Sequence, residues 1–155
     1  MHIIEKTIEV IRPVSTVYDQ WTRFQEFPQF MKGIKEVRVL DDRNLRWTAV
    51  IGGQEKVWDA EIVEQVPDEL VSWRSTSGAE NSGKLTFISL TPTKTRIILL
   101  LTYEPKGFLE NLGDNLGWVT TRVTDDLNNF KKFVESGVTH EADDRLATTA
   151  SSTDR

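Results

Sequence analysis

The chain has 155 residues, no cysteine, five tryptophans and a formal net charge of −5. This length suits one domain, which buries about 70% of its unfolded surface and needs no covalent staple. The cysteine count excludes a disulfide framework, a thiolate metal site and a cysteine nucleophile, and an acidic chain without a basic run lacks the electrostatic footprint of a nucleic-acid binder.

The first segment, Ile3 to Ile11, alternates with period 2 and predicts a half-buried strand. Arg12-Pro13 ends it, because the residue before proline is held extended and proline suits a helix start. Val14, Val17, Trp21 and Phe24 recur at helical spacing and predict a helix of about two to three turns. Phe27 to Met31 reads as a second short helix opened by Pro28 and stopped by Gly33. A meander follows: strands Ile34–Leu40, Leu45–Ile51, Glu55–Val66, Leu70–Thr76, Leu85–Leu90 and Thr95–Glu104. Gly52-Gly53 fits a two-residue hairpin turn whose central residues need positive φ. Ser77 to Gly83 reads as a polar, glycine-bearing loop.

The last element has the clearest periodicity. Leu109, Leu112, Leu116, Val119, Val123, Leu127, Phe130 and Val134 are spaced 3, 4, 3, 4, 4, 3 and 4. They form one apolar stripe along a helix of about seven turns, with Gly137 as its C-cap. The tail from Val138 onward lacks aromatic residues and is expected to be disordered, leaving residues 1–137 as a single domain.

An antiparallel meander needs a cover for its apolar face, and the long amphipathic helix is the only element large enough. The expected class is α+β in two layers: a sheet of about seven strands curved around a C-terminal helix, with two short helices after the first strand.

Several stretches then carry a family resemblance: Tyr18-Asp19-Gln20-Trp21, Phe24 through Met31, Trp58-Asp59 with Ala60–Gln65, and Val71-Ser72-Trp73-Arg74-Ser75. Thr95-Arg96-Ile97, Tyr103-Glu104-Pro105-Lys106-Gly107 and Asp126-Leu127-Asn128-Asn129-Phe130-Lys131 add to them. Over about residues 2–137 the chain resembles the START-like superfamily (SRPBCC), whose fold is the helix grip. Within it, the chain is similar to bacterial polyketide cyclase/dehydrase-like proteins and their ubiquinone-binding relatives. The resemblance implies a cavity between sheet and helix for a small apolar or aromatic ligand: a lipid, an isoprenoid quinone or a polyketide-like compound. A cyclase or dehydratase acting in the same cavity is the alternative. No cofactor, no metal and no catalytic residue is assigned.

The lining expected for that cavity is Phe30, Trp47, Trp58, Ala60, Trp73, Ser75, Phe87, Leu99, Tyr103, Leu112, Leu116 and Thr120. Trp47, Trp58 and Trp73 lie on three successive strands, and ordinary core packing is their competing role. Tyr103 shares an inward face with Ile97, Leu99 and Leu101, and its hydroxyl needs a partner from protein or ligand. Asp59 and Glu61 alternate away from the Trp58–Ala60–Ile62 face and read as a solvated pair rather than an acid/base pair; Arg74 also reads outward. Gly113 and Gly117 either widen the cavity or allow close packing.

The other chemistries fall away. His2 and His140 stand at opposite ends of the chain, so a fixed His-based triad or metal cluster is not expected. There is no phosphate-binding or nucleophile-elbow motif. The longest apolar run, Ile97–Leu101, falls well short of the ~20 residues of a membrane span. Met1-His2-Ile3-Ile4-Glu5 does not read as a signal peptide, and a cytoplasmic protein is expected. Ile98 and Leu100 place apolar side chains on the outer sheet face, where a homodimer contact is the expected use.

Overall fold

The computed structural model describes residues 1–106 and 116–137. The elements run β1 (His2–Val10), α1 (Val14–Trp21), a 3-10 helix (Phe24–Gln29), β2 (Ile34–Val39), β3 (Asn44–Ile51) and β4 (Gln54–Val66). They continue with β5 (Leu70–Ser77), β6 (Asn81–Thr91), β7 (Lys94–Tyr103) and α2 (Leu116–Glu135).

The strands form one seven-stranded sheet in the order β1-β7-β6-β5-β4-β3-β2. Every neighbouring pair is antiparallel. Pro13, with φ −61° and ψ 150°, turns the chain from β1 into α1. Gly52 and Gly53 adopt φ 61° and 82°, the double positive φ that the β3–β4 hairpin requires. Register shifts interrupt the β4–β5 pairing at Asp59/Ala60 and at Ile62/Glu64. Bulges of this kind bend a strand and strengthen its twist, so β4 curves toward the helix.

The inward faces follow the alternation. Trp58, Ala60 and Ile62 are buried on β4, and Ile97, Leu99 and Tyr103 on β7. The outer face carries ion pairs: Arg46–Asp59 at 2.8 Å, Arg74–Glu61 at 3.1 Å and Arg96–Glu9 at 2.8 Å. Leu100 is exposed there, with Glu5 and Lys84 beside it on the flanking strands.

Leu127, Phe130 and Val134 bury the apolar stripe of α2. The Phe130 ring meets Trp21 at 5.0 Å and Phe30 at 5.3 Å. At the end of α2 the Glu135 carboxylate accepts the Ile11 N–H at 2.7 Å and the Lys131 ammonium at 2.7 Å. Lys131 also donates to the Glu9 carbonyl at 2.7 Å, and Arg12 donates to the Glu135 carbonyl. These bonds tie the helix end to the end of β1. Gly137, with φ 81°, follows the last turn as expected of a C-cap.

Two elements differ from expectation. The second short helix is a 3-10 segment that starts at Phe24 and carries Pro28 inside it, so Pro28 does not open it. β6 begins at Asn81, inside the stretch read as a loop. The reason lies in two side-chain-level contacts: the Asn81 N–H is taken by Ser75 Oγ at 3.0 Å, and Gly83 lies under the Trp73 ring. Leu109, Leu112, Gly113 and the 138–155 tail fall outside the described residues, as does the Leu116 side chain. Gly117 is exposed on α2.

Candidate functional site: a tryptophan-walled cavity

Sheet and helix do not close on each other completely. Between them lies a cavity of about 210 Å³. β3, β4 and β5 contribute Trp47, Trp58 and Trp73; α1 contributes Trp21; α2 contributes Trp118. All five tryptophans of the chain therefore line it. Trp47 and Trp58 face each other across the β3–β4 pairing and stack, with centroids 5.9 Å apart and planes 6° from parallel. Large side chains normally fill a core to crystal-like density. Here small residues, Gly33 and Ala49, stand among the rings and leave the space open.

Trp73 is held by its register partner. An added Cβ on Gly83 would come within 2.3 Å of the Trp73 ring, so the ring lies flat against bare backbone. Its Nε1–H donates to Asn81 Oδ1 at 3.1 Å, and the Asn81 amide donates to the Ala79 carbonyl at 3.1 Å. This network fixes one wall.

The expected lining divides in two. Trp47, Trp58, Trp73, Leu99 and Tyr103 face the cavity. Phe30 is turned to the helix, where Phe130 and Phe133 each meet its ring at 5.3 Å. Ala60 is fully buried, packed with Ala49, Trp58 and Ala79, and is not part of the lining. The Ser75 hydroxyl is spent on the Asn81 backbone. Phe87 packs edge-on against Tyr18 at 5.4 Å. Thr120 lies off the helix face formed by Trp118, Arg122 and Asp126. Leu112 lies outside the described residues, and so does the Leu116 side chain.

Three polar features were not read from the sequence. Trp118, Arg122 and Asp126 are spaced four apart, which stacks them on one face of α2 beside the apolar stripe, and all three line the cavity. The Arg122 guanidinium carbon stands 5.9 Å from the Trp118 ring centroid. Asp126 Oδ1 is buried and has no hydrogen-bond partner among the described residues. Burial in this wall pushes the Asp126 carboxyl up to about 7; Arg122 opposes the shift and Asp125 adds to it. The four-residue spacing was the available signal, but charged residues flanking a stripe ordinarily face water.

His2, at the start of β1, stands behind the cavity-lining Tyr103. Its Nδ1 lies 3.2 Å from the Tyr103 hydroxyl, and the two rings meet edge-on at 5.4 Å. Tyr103 thus has a protein partner for its buried hydroxyl. Among the described residues no cluster of His, Cys, Asp and Glu could hold a metal ion. No helix among them is long and apolar enough to cross a membrane.

Comparison with known proteins agrees with this architecture. An uncharacterized 17.2 kDa protein of Streptomyces lincolnensis is 42% identical over 136 residues, covering 87% of this chain and 91% of that one. The Zhui aromatase/cyclase of a Streptomyces species superposes with a TM-score of 0.76 at 16% identity, covering 88% of this chain and 95% of its own. A START superfamily protein from Mycobacterium smegmatis gives 0.68 at 18% identity, over 91% of this chain and 99% of its own. At such identities the likeness is one of fold, the START-like helix grip. The family model described as polyketide cyclase/dehydrase and lipid transport matches residues 10–132, and the chain belongs to that family.

Proposed function

We propose that the protein binds a small apolar or aromatic molecule in the cavity between sheet and α2, as a carrier or binding protein. One observation carries this reading: all five tryptophans converge on one unfilled space. Ligand sites are mostly apolar concavities with a few placed polar groups, and binding there is driven by removing apolar surface from water. Ring compounds fit such walls because aromatic faces and edges pair favourably. A lipid, an isoprenoid quinone and a polyketide-like aromatic all share this chemistry.

The test is native mass spectrometry of the protein after exposure to a lipid and quinone extract of bacterial cells, beside the cavity-filling variant Ala49→Phe. The reading expects one bound mass per wild-type chain, released by organic solvent and missing from the variant. Identical spectra for the two proteins would refute it.

Asp126 supports a second reading, a cyclase or dehydratase. A carboxyl held near neutrality gives up and takes back a proton readily, as a ring closure followed by loss of water requires. The family and the aromatase/cyclase neighbour are in keeping with that chemistry. Turnover of a poly-β-keto thioester by the wild type, lost in Asp126→Asn, would favour it over the carrier.

A further inference from the structure

Resting on the ligand-cavity reading, we propose that Asp126 makes the cavity selective for ring compounds bearing a carbonyl oxygen, which its carboxylic acid receives as a hydrogen-bond donor. Four polar side chains, Asn81, Tyr103, Arg122 and Asp126, reach the cavity among the described residues. Asn81 is engaged with Trp73 and Ala79, and Tyr103 with His2. Asp126 differs: it lines the cavity, and its Oδ1 is buried without a hydrogen-bond partner among the described residues. An unpaired polar atom in such a place is costly, so a ligand that pairs with it gains selectively over one that does not.

The neighbours decide the sign of that ligand group. Arg122 lies one turn before Asp126 on the same face and has only donors. A cationic ligand would meet this guanidinium, whereas an acceptor oxygen is welcome to both side chains. Asp125, next in the chain, repels a negative charge on Asp126. From the other elements the described wall presents no ionisable group except the Tyr103 hydroxyl, backed by His2. Burial outweighs the pull of Arg122 toward the carboxylate form and, with Asp125 adding to it, keeps the acid form present up to about neutral pH.

Tetralin and 1-tetralone differ by one CH2 replaced with C=O and probe this directly. Titrations of 15N-labelled protein, read on the tryptophan indole N–H signals, give both affinities. At pH 5.5 the wild type is expected to bind 1-tetralone about tenfold more tightly than tetralin, the scale of one buried hydrogen bond. The preference should shrink several-fold at pH 8.5, where Asp126 has ionised. Asp126→Asn keeps a donor, so it should hold the preference at both pH values. Asp126→Leu, which leaves only the Arg122 donors, should lose most of the preference. Equal wild-type affinities at pH 5.5, or an undiminished preference in Asp126→Leu, would overturn the selectivity while leaving the cavity reading intact. Failure of tetralin itself to bind would overturn both.

Discussion

The indoles of Trp47 and Trp58 stack in register across the β3–β4 ladder, 5.9 Å apart and within 6° of parallel. Neighbours on one sheet face are 4.5–5.5 Å apart at Cβ, so two indoles there must lie side by side. Stacked, they stand up from the sheet as a wall, and Phe27 caps it with its ring 5.3 Å from Trp47. The sheet thereby gains a rigid edge without filling the space beside it.

Gly83 governs the neighbouring stretch of the same sheet wall, on β5. Gly83→Ala places a methyl group where the Trp73 ring now lies, so the indole must shift. The variant is expected to fold, to move the Trp73 indole N–H signal and to weaken tetralin binding by about tenfold. An unchanged affinity together with a moved signal would show that Trp73 does not shape the cavity.

Asp126 should leave a mark on stability. Its carboxyl titrates at about 7 in the folded chain and at the ordinary carboxylate value when unfolded. Between those values the folded state holds the extra proton, so stability falls as pH rises through this window, by at most about 1.4 kcal/mol per pH unit. Asp126→Asn removes the titration. Urea melts from pH 4 to 8 should show the wild type losing stability relative to the variant as pH rises; parallel curves would contradict the buried acid.

Glu135 behaves in the opposite sense. Burial raises its pKa, but the Ile11 N–H and the Lys131 ammonium outweigh burial and hold it below the ordinary value. The depressed group stabilises the fold above its unfolded pKa, and that contribution is lost as pH falls through the folded one. Glu135→Gln should cost about 1 kcal/mol at pH 7 and less at pH 3. A cost independent of pH would point to packing rather than to the ionised clamp.

Phe130 is fully buried where α2 meets Trp21 and Phe30. Phe130→Ala should cost about 3–5 kcal/mol in chemical denaturation, as large truncations in a packed core do. A cost below about 1 kcal/mol would mean that the helix is held mainly by its C-terminal hydrogen bonds.

Much of this was legible in the sequence. The 3–4 spacing of Leu127, Phe130 and Val134 located the buried face of α2, and period 2 placed Trp58, Ile62, Leu99 and Tyr103 inward. The twin glycines at 52 and 53 fixed a turn. Alternation gives a side chain's direction but not its depth. Ala60 and Ser75 point inward on their strands, yet one is too short to reach the cavity and the other is tied to Asn81. The start of β6 was hidden because Asn81 and Gly83 are poor strand formers; tertiary contacts with Ser75 and Trp73 override that preference. Asp126 escaped because a charge beside an apolar stripe faces water in most helices, and only the open space under α2 gives it another place.

A tetralin titration of 15N-labelled wild type and Ala49→Phe tests most directly whether the cavity is a ligand site. Ala49 is buried among the cavity's rings, so the added phenyl ring has only the cavity to enter. The prediction is saturable movement of the tryptophan indole N–H signals in the wild type, with Trp47, Trp58 and Trp73 moving most, and no saturable movement in the variant. Indole signals that stay fixed in the wild type, or that move equally in Ala49→Phe, would contradict it.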